Sequence, residues 1–509
     1  MSPSSTTDGA RKQVVLAGPT RRGDHSGFTG RSIVPVGCVA VVIVVVIVVK
    51  VRAGLHPDQA FHVTGLYDNL RADLLFPNVS NWNFRPVAYR VILAILSFGP
   101  MSLFGWTTQG VAVMVAFYYL MVFVLLYALA VPRGPSGHAL FALGVVVLGS
   151  QDRWTTLSAD EVAAIGVIAI ILAILKYPEP RRSVQPLVVG LIVLVLFLVK
   201  GVSVLYVAPV LLALVHSWGL RRTLYAAALG VAGAVVALVV LFTRELIWIQ
   251  EARVYHEGRP TGFGWVDIES LLEHDVYLLS TVIAVVVATA AVLLGNRWWI
   301  AAIGGSVVLA GVVVDALQGT AWAYHGVGLY AATALTLMML ASKPDPFGEA
   351  RYSVALGAIV LASFPLGAAW WVVVDEPTVA RTDPTLRRVV GVAANEEILY
   401  LGMMDRVATG YPYACGYFSA HPIQRVDAAA TAQRADLPNS RAFLDCALRF
   451  DGRAVVMNLG WFDPAARGYL ELVTKLCADF GVQPDQPELG ESTLVLVAGG
   501  EVRAPFCGD

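Results

Sequence analysis

Long apolar runs, separated by short polar segments, dominate residues 33–374. A helical run of this kind is suited to crossing the roughly 30 Å of hydrocarbon in a bilayer. The runs lie near residues 33–50, 109–131, 137–150, 160–176, 184–200, 202–217, 222–243, 276–295, 299–315, 326–342 and 353–374. The pattern therefore predicts a mainly α-helical, polytopic membrane protein with about eleven spans.

One further apolar run, residues 87–106, contains Arg90 and a Gly-Pro break. If this run crossed the membrane, the later basic loops would lie on the side opposite the basic N-terminal tail. Because basic loops favour the cytoplasmic side, we interpret residues 87–106 as a helix lying on the outer surface. Residues 1–32 are then predicted to be a disordered cytoplasmic tail, and loops 51–108 and 243–275 to face outward.

The composition changes after residue 374. Residues 375–509 have the size and polarity of a soluble domain, placed outside by the parity of the spans. Segments 452–463, 464–481 and 492–500 predict a strand, an amphipathic helix and a strand, and hence a small α/β domain. This region contains four of the five cysteines: Cys415, Cys446, Cys477 and Cys507. We expect two disulfides in an oxidising compartment, with the pairing open and four free thiols as the alternative.

Composition and charge narrow the classes of function. The chain has 57% hydrophobic and 14% charged residues and a formal net charge of -1, so it presents no general basic field for nucleic acid. The sequence contains no phosphate-binding loop GxxxxGK[ST], no GxGxxG after a strand and no HExxH. Neither a nucleotide site nor a metal site is indicated, and no cofactor is predicted with certainty; a divalent cation is left open.

Carboxylates follow or begin apolar runs on the predicted outer side. In HPDQAFH, at 56–62, Asp58 lies close to the end of the first run, where a carboxylate suits a general base acting on a hydroxyl, with His62 binding substrate. The alternative for Asp58 is a helix-capping role. Asp160 and Glu161 begin the fourth run as a second catalytic or acceptor-binding pair. Their alternative is to follow Ser158 as first-turn acids of a capped helix.

Cationic groups on the same predicted side suit a phosphate. Lys200 ends an apolar run, where it either binds a lipid phosphate or extends its ammonium group to the interface. Arg253, Arg259 and His325 are further candidates for the donor phosphate. The remaining candidate substrate contacts are Gln318, Trp322, Tyr324 and His256. An interfacial aromatic belt is the alternative for the tryptophan and the tyrosine.

Several of these motifs together resemble the GT-C superfamily of membrane glycosyltransferases. They are HPDQAFH, the non-crossing helix, the acidic pair in TTLSADEVAA, the turn in LVKG, and WAYHGVGLY. The resemblance extends over residues 33 to about 342, with two departures: Asp58 stands without an adjacent acid, and Gly326 and Gly328 replace bulkier residues.

The resemblance implies an inverting transfer from a polyprenyl-phosphate sugar to an envelope glycan, glycolipid or protein, with Asp58 as the base. It also implies mannosyl or arabinosyl transfer as candidate specificities, a multi-pass location in the plasma membrane, and membrane lipids but no nucleic acid as partners. The alternative is a transporter or flippase for a polyprenyl-linked or anionic lipid. A transporter should carry polar groups near the bilayer midplane, whereas the middles of these runs are nearly free of charge, which favours an enzyme.

Overall fold

The structure is a computed structural model. It describes residues 33–53, 87–104, 108–149, 156–177, 181–243, 297–318, 327–344, 388–391, 396–401, 438–459, 467–483 and 493–507, with isolated positions between them.

Helices occupy the predicted apolar runs wherever those runs are described. They are α1 (Ile33–Ala53), α2 (Val87–Phe104), α3 (Thr108–Ala130), α4 (Gly134–Gly149), α5 (Ala159–Lys176), α6 (Gln185–Val199), α7 (Val207–Trp218), α8 (Leu220–Leu241), α9 (Trp298–Gln318) and α10 (Val327–Ala341). A short 3-10 helix, Gly201–Tyr206, joins α6 to α7. The run at 353–374 and most of the run at 276–295 lie outside the described residues.

Among the described residues, five segments are long and apolar enough to cross a bilayer. They are Val34–Arg52, Val87–Phe104, Gln109–Ala130, Gly201–Trp218 and Leu220–Leu241, and shorter apolar helices accompany them. The chain is a mainly helical, multi-pass membrane protein. Because Val87–Phe104 is among the five, its length and composition also suit crossing, so its surface location and the total of about eleven spans stay predictions.

Small residues let several helices approach closely, as is common where membrane helices pack. A Cβ atom at Gly137 on α4 would lie 2.6 Å from the carbonyl oxygen of Ala341 at the end of α10. A Cβ at Gly230 on α8 would lie 2.8 Å from the backbone nitrogen of Gly190 on α6. These contacts bring most of the described helices around one continuous apolar core.

α9 and α10 approach each other closely at Gly311 and Gly328. A Cβ at Gly328 would lie 2.6 Å from the Cα atom of Gly311 and 3.1 Å from the hydroxyl of Tyr206. Gly328 is one of the two glycines that depart from the GT-C pattern. Its small size is explained by packing, because a larger residue would separate the two helices.

We expect Gly311→Ala to lower the unfolding temperature of the full chain in detergent, with a cost of about 1–3 kcal/mol for overpacking. The physical reason is that the new methyl group would lie 2.8 Å from the Cα atom of Gly328. Gly305→Ala on the same helix is the matched control, since a Cβ there meets nothing within 4 Å. Equal unfolding temperatures for the two variants would contradict the close crossing.

The C-terminal region contains a four-stranded sheet of order β1-β2-β4-β3. Its strands are β1 (Ile398–Leu401), β2 (Ala454–Asn458), β3 (Phe480–Val482) and β4 (Thr493–Ala498), and its helices are α11 (Pro438–Leu448) and α12 (Leu470–Asp479). The β1 and β2 strands are parallel, while β4 is antiparallel to both β2 and β3. The predicted strand, helix and strand correspond to β2, α12 and β4, and the sheet has its own apolar core.

Two disulfides join the four C-terminal cysteines: Cys415 to Cys446 and Cys477 to Cys507. The prediction of two disulfides is confirmed, and the alternative of four free thiols is wrong. The location of this region outside the cytoplasm stays a prediction.

Candidate functional site

The start of α5 is organised by a side-chain cap. The backbone nitrogen of Glu161 donates to the Oγ atom of Ser158 over 3.0 Å, so the interpretation of Ser158 as an N-cap is confirmed. The cap places Asp160 and Glu161 in the first helical turn, where the helix dipole favours negative charge. Consecutive helix residues project about 100° apart, so the two carboxylates have different partners.

Asp160 is paired with Lys200. The Nζ atom of Lys200 lies 2.6 Å from Oδ2 and 2.9 Å from Oδ1 of the carboxylate. The side chains are 17% exposed for the lysine and 8% for the aspartate. Two residues that the sequence treats as separate candidates therefore form one charged unit, which remains reachable from the lysine side.

Lys200 owes its position to a break between two helices. Its backbone is extended, with φ -161° and ψ 127°, between the end of α6 and the 3-10 helix. Its carbonyl oxygen accepts a hydrogen bond from the backbone nitrogen of Ser203 over 2.8 Å. This break turns the chain at Lys200 and directs its side chain to the start of α5.

Glu161 is buried and is held by donors from the protein. The hydroxyl of Tyr119, on α3, donates to Oε1 over 2.6 Å, and the backbone nitrogen of Leu157 donates to Oε2 over 2.7 Å. Lys50, near the end of α1, is only 1% exposed and attracts Glu161 electrostatically. Its Nζ atom lies 5.6 Å from the centre of the Tyr119 ring. Glu161 thereby links three helices.

The peptide groups of Leu157 contribute to the same arrangement. Leu157 has φ +59°, in the left-handed region that a leucine rarely adopts. Its carbonyl oxygen accepts a hydrogen bond from the hydroxyl of Tyr89, on α2, over 2.5 Å. The strained residue therefore connects α2 to Glu161, and its conformation is stabilised by hydrogen bonds on both sides.

The structure thus brings together part of the predicted site and adds residues to it. Asp160, Glu161 and Lys200 lie at one end of the helix bundle, at the start of α5 and the end of α6. Lys50 and Tyr119 were not predicted as site residues. Two features of the sequence could have indicated them. Lys50 ends an aliphatic run, and Tyr119 belongs to a pair of adjacent tyrosines within another apolar run.

The other predicted site residues are not placed by the structure. Asp58, His62, Arg253, His256, Arg259, Trp322, Tyr324 and His325 lie outside the described residues. Gln318 is the last residue of α9, and its side chain is likewise not described. The roles assigned to all of them stay predictions. Within the described ranges, no cluster of three or more His, Cys, Asp or Glu side chains suits a metal ion.

Comparison with solved structures gives a likeness over nearly the whole chain. The crystal structure of ArnT from Cupriavidus metallidurans in the apo state matches with a TM-score of 0.52 and 15% identity, covering 92% of this chain and 99% of that chain. At the level of the fold, this chain resembles ArnT. That likeness concerns the fold alone, and it is in line with the fold that the GT-C resemblance of the motifs implies.

ArnT from the same organism bound to undecaprenyl phosphate matches more weakly, with a TM-score of 0.43, 14% identity, and coverage of 94% of this chain and 100% of that chain. No protein-family model and no curated protein sequence matches the chain.

Proposed function

We propose that the protein is an inverting glycosyltransferase that uses a polyprenyl-phosphate sugar as donor and works at the surface of the membrane. The observation that carries the proposal is the Asp160–Lys200 ion pair at one end of an apolar helix bundle. Such a pair presents a cation where the phosphate of a membrane lipid lies. ArnT, whose fold this chain resembles, has been crystallised with undecaprenyl phosphate.

Lys200 is assigned to the donor phosphate. In the transfer, the oxygen of an acceptor hydroxyl attacks the anomeric carbon, and the bond from that carbon to the phosphate oxygen breaks. The electron pair of that bond stays on the phosphate, which gains negative charge as it leaves. A cation held beside it stabilises the transition state more than the ground state.

Asp58 is proposed as the base that takes the hydroxyl proton, as the GT-C resemblance implies. Asp160 is already engaged with Lys200, and both oxygens of Glu161 accept hydrogen bonds from the protein. We therefore assign Asp160 and Glu161 as positioning residues: the first fixes the ammonium group of Lys200, and the second fixes the start of α5. Their sequence-based assignment as catalytic groups is replaced by this narrower role.

The test is a transfer assay with the full chain in proteoliposomes, supplied with radiolabelled polyprenyl-phosphate mannose or arabinose and an envelope extract as acceptor. We expect label in the acceptor with the wild type. We expect Asp58→Asn to lower the rate of transfer about 10²–10⁴-fold, because general-base catalysis contributes a rate factor of about that size.

Asp68→Asn is the matched control, since Asp68 lies in the same predicted outer loop and is not among the candidate site residues. Full transfer by Asp58→Asn would exclude it as the base. Movement of the labelled lipid across the bilayer without transfer would instead support the flippase.

A further inference from the structure

A second charged cluster lies at the other end of the helix bundle. Lys176, at the end of α5, donates from Nζ to the carbonyl oxygen of Ala128 in the last turn of α3 over 2.7 Å. This end of α5 is about 24 Å from Asp160 at a rise of 1.5 Å per residue. The cluster therefore has no part in the site around Lys200.

Three cations from separate segments meet there: Arg133 after α3, Arg297 before α9 and Lys343 after α10. The backbone nitrogen of Arg133 donates to the carbonyl oxygen of Ala341 over 2.9 Å. Nη2 of Arg297 donates to the carbonyl oxygen of Pro344 over 3.4 Å. Burial, together with the charges of Arg297 and Arg133, lowers the pKa of Lys343. The three positive charges are thus close enough to repel one another.

One donor of this cluster is buried and unpaired. Within the described part of the chain, Nη1 of Arg297 is inaccessible to solvent and has no hydrogen-bond partner. No salt bridge joins any of the three cations to a carboxylate of the described residues. A buried donor of a guanidinium group is costly to leave without a partner, so an anion beside Nη1 would stabilise this arrangement.

Aromatic rings next to the cluster fit a position at the membrane interface. Nζ of Lys343 lies 5.0 Å from the centre of the Trp299 ring, and the ring of His216 stacks on Trp299 with centres 4.2 Å apart. The adjacent Trp298 is 73% exposed. Tryptophans of this kind lie at the depth of lipid headgroups, and basic pockets between membrane helices bind the phosphates of such headgroups.

We propose that Arg133, Arg297 and Lys343 form a binding site for the phosphate of an anionic phospholipid. The guanidinium of Arg297 supplies paired donors, and the ammonium of Lys343 supplies a point charge. Bound phosphate would offset the repulsion among the cations and join the ends of α3, α9 and α10. The site is independent of the proposed transfer activity.

Native mass spectrometry of the delipidated full chain in detergent tests the proposal, with phosphatidylglycerol and phosphatidylcholine as probes. We expect one phosphatidylglycerol to be retained in preference to phosphatidylcholine. Arg297→Gln and Lys343→Gln should each weaken that retention about tenfold, the usual effect of losing a charge-assisted hydrogen bond. Arg221→Gln is the matched control, because Arg221 is an exposed arginine in the first turn of α8.

Retention by Arg297→Gln and Lys343→Gln equal to that of the wild type would overturn the site, as would equal retention of the two lipids. Inorganic phosphate serves as the soluble competitor. If millimolar phosphate displaces phosphatidylglycerol and binds equally well alone, the assignment of the site to a lipid is wrong.

Unfolding temperatures measured in the same detergent show whether each variant is folded. Arg133→Gln carries the test if the variants of the half-buried Arg297 and Lys343 do not fold, since Arg133 is exposed, and it should weaken retention about fivefold.

Discussion

Lys200→Met should abolish transfer and destabilise the protein, and adding Asp160→Asn should restore stability without restoring transfer. The single change leaves the carboxylate of Asp160, whose side chain is 8% exposed, without the ammonium group 2.6 Å away. Breaking a buried ion pair from one side costs about 3–5 kcal/mol, whereas replacing both partners is often neutral. Loss of a charge that stabilises the transition state should lower the rate about 10²–10³-fold.

The measurements are the unfolding temperature in nanodiscs and the rate of label transfer for the wild type, the single variant and the double variant. Arg221→Met is the control, because that arginine is exposed in the first turn of α8 and should leave both quantities nearly unchanged. Recovery of transfer in the double variant would exclude Lys200 from the phosphate site. Failure of the double variant to regain stability would show that the loss does not come from removing the ammonium group beside the Asp160 carboxylate.

Glu161→Ala should be the second severe substitution, with a loss of about 3–5 kcal/mol in the free energy of unfolding. It removes the acceptor for Tyr119 and for the backbone of Leu157, and it leaves Lys50 buried without this opposite charge. Tyr119→Phe removes one hydrogen bond to a charged group and should cost about 1.5–3 kcal/mol. Unfolding temperatures of the full chain in nanodiscs check both values.

Tyr118→Phe is the control for this series, since Tyr118 is the neighbouring buried tyrosine and its hydroxyl has no hydrogen-bond partner among the described residues. Removing a buried, unsatisfied hydroxyl should be neutral or slightly stabilising. If Tyr118→Phe and Tyr119→Phe were equally destabilising, the loss would come from ring packing, and the bond to Glu161 would have no special importance.

The hydrophobic pattern predicts where the described membrane helices lie, because apolar length is what a bilayer selects. The ends are less certain: α4 begins at Gly134, whereas the apolar run begins near residue 137. The C-terminal prediction finds β2, α12 and β4 but omits β1 and β3, which have 4 and 3 residues. Strands this short carry too few alternating positions to be recognised, and the parallel pairing of β1 with β2 depends on contacts distant in sequence.

The sequence predicts several residues of the candidate site but not the contacts between them. Asp160 and Lys200 are each conspicuous as charges at the ends of apolar runs, but they are 40 positions apart, and only the packing of α5 near the end of α6 pairs them. Lys50 was not recognised because a lysine at the end of a span is commonly just a flanking charge. Burial of that lysine against Tyr119 is a tertiary property that local sequence does not encode.

The 3-10 helix after Lys200 also sets the length of the segment that follows. Gly201–Trp218 has 18 residues, which as an α-helix would extend about 27 Å. Because its first six residues form a 3-10 helix with a rise of about 2.0 Å each, the segment reaches about 30 Å, the thickness of the hydrocarbon layer. The tighter winding thus gives a short segment the length that crossing the hydrocarbon layer requires.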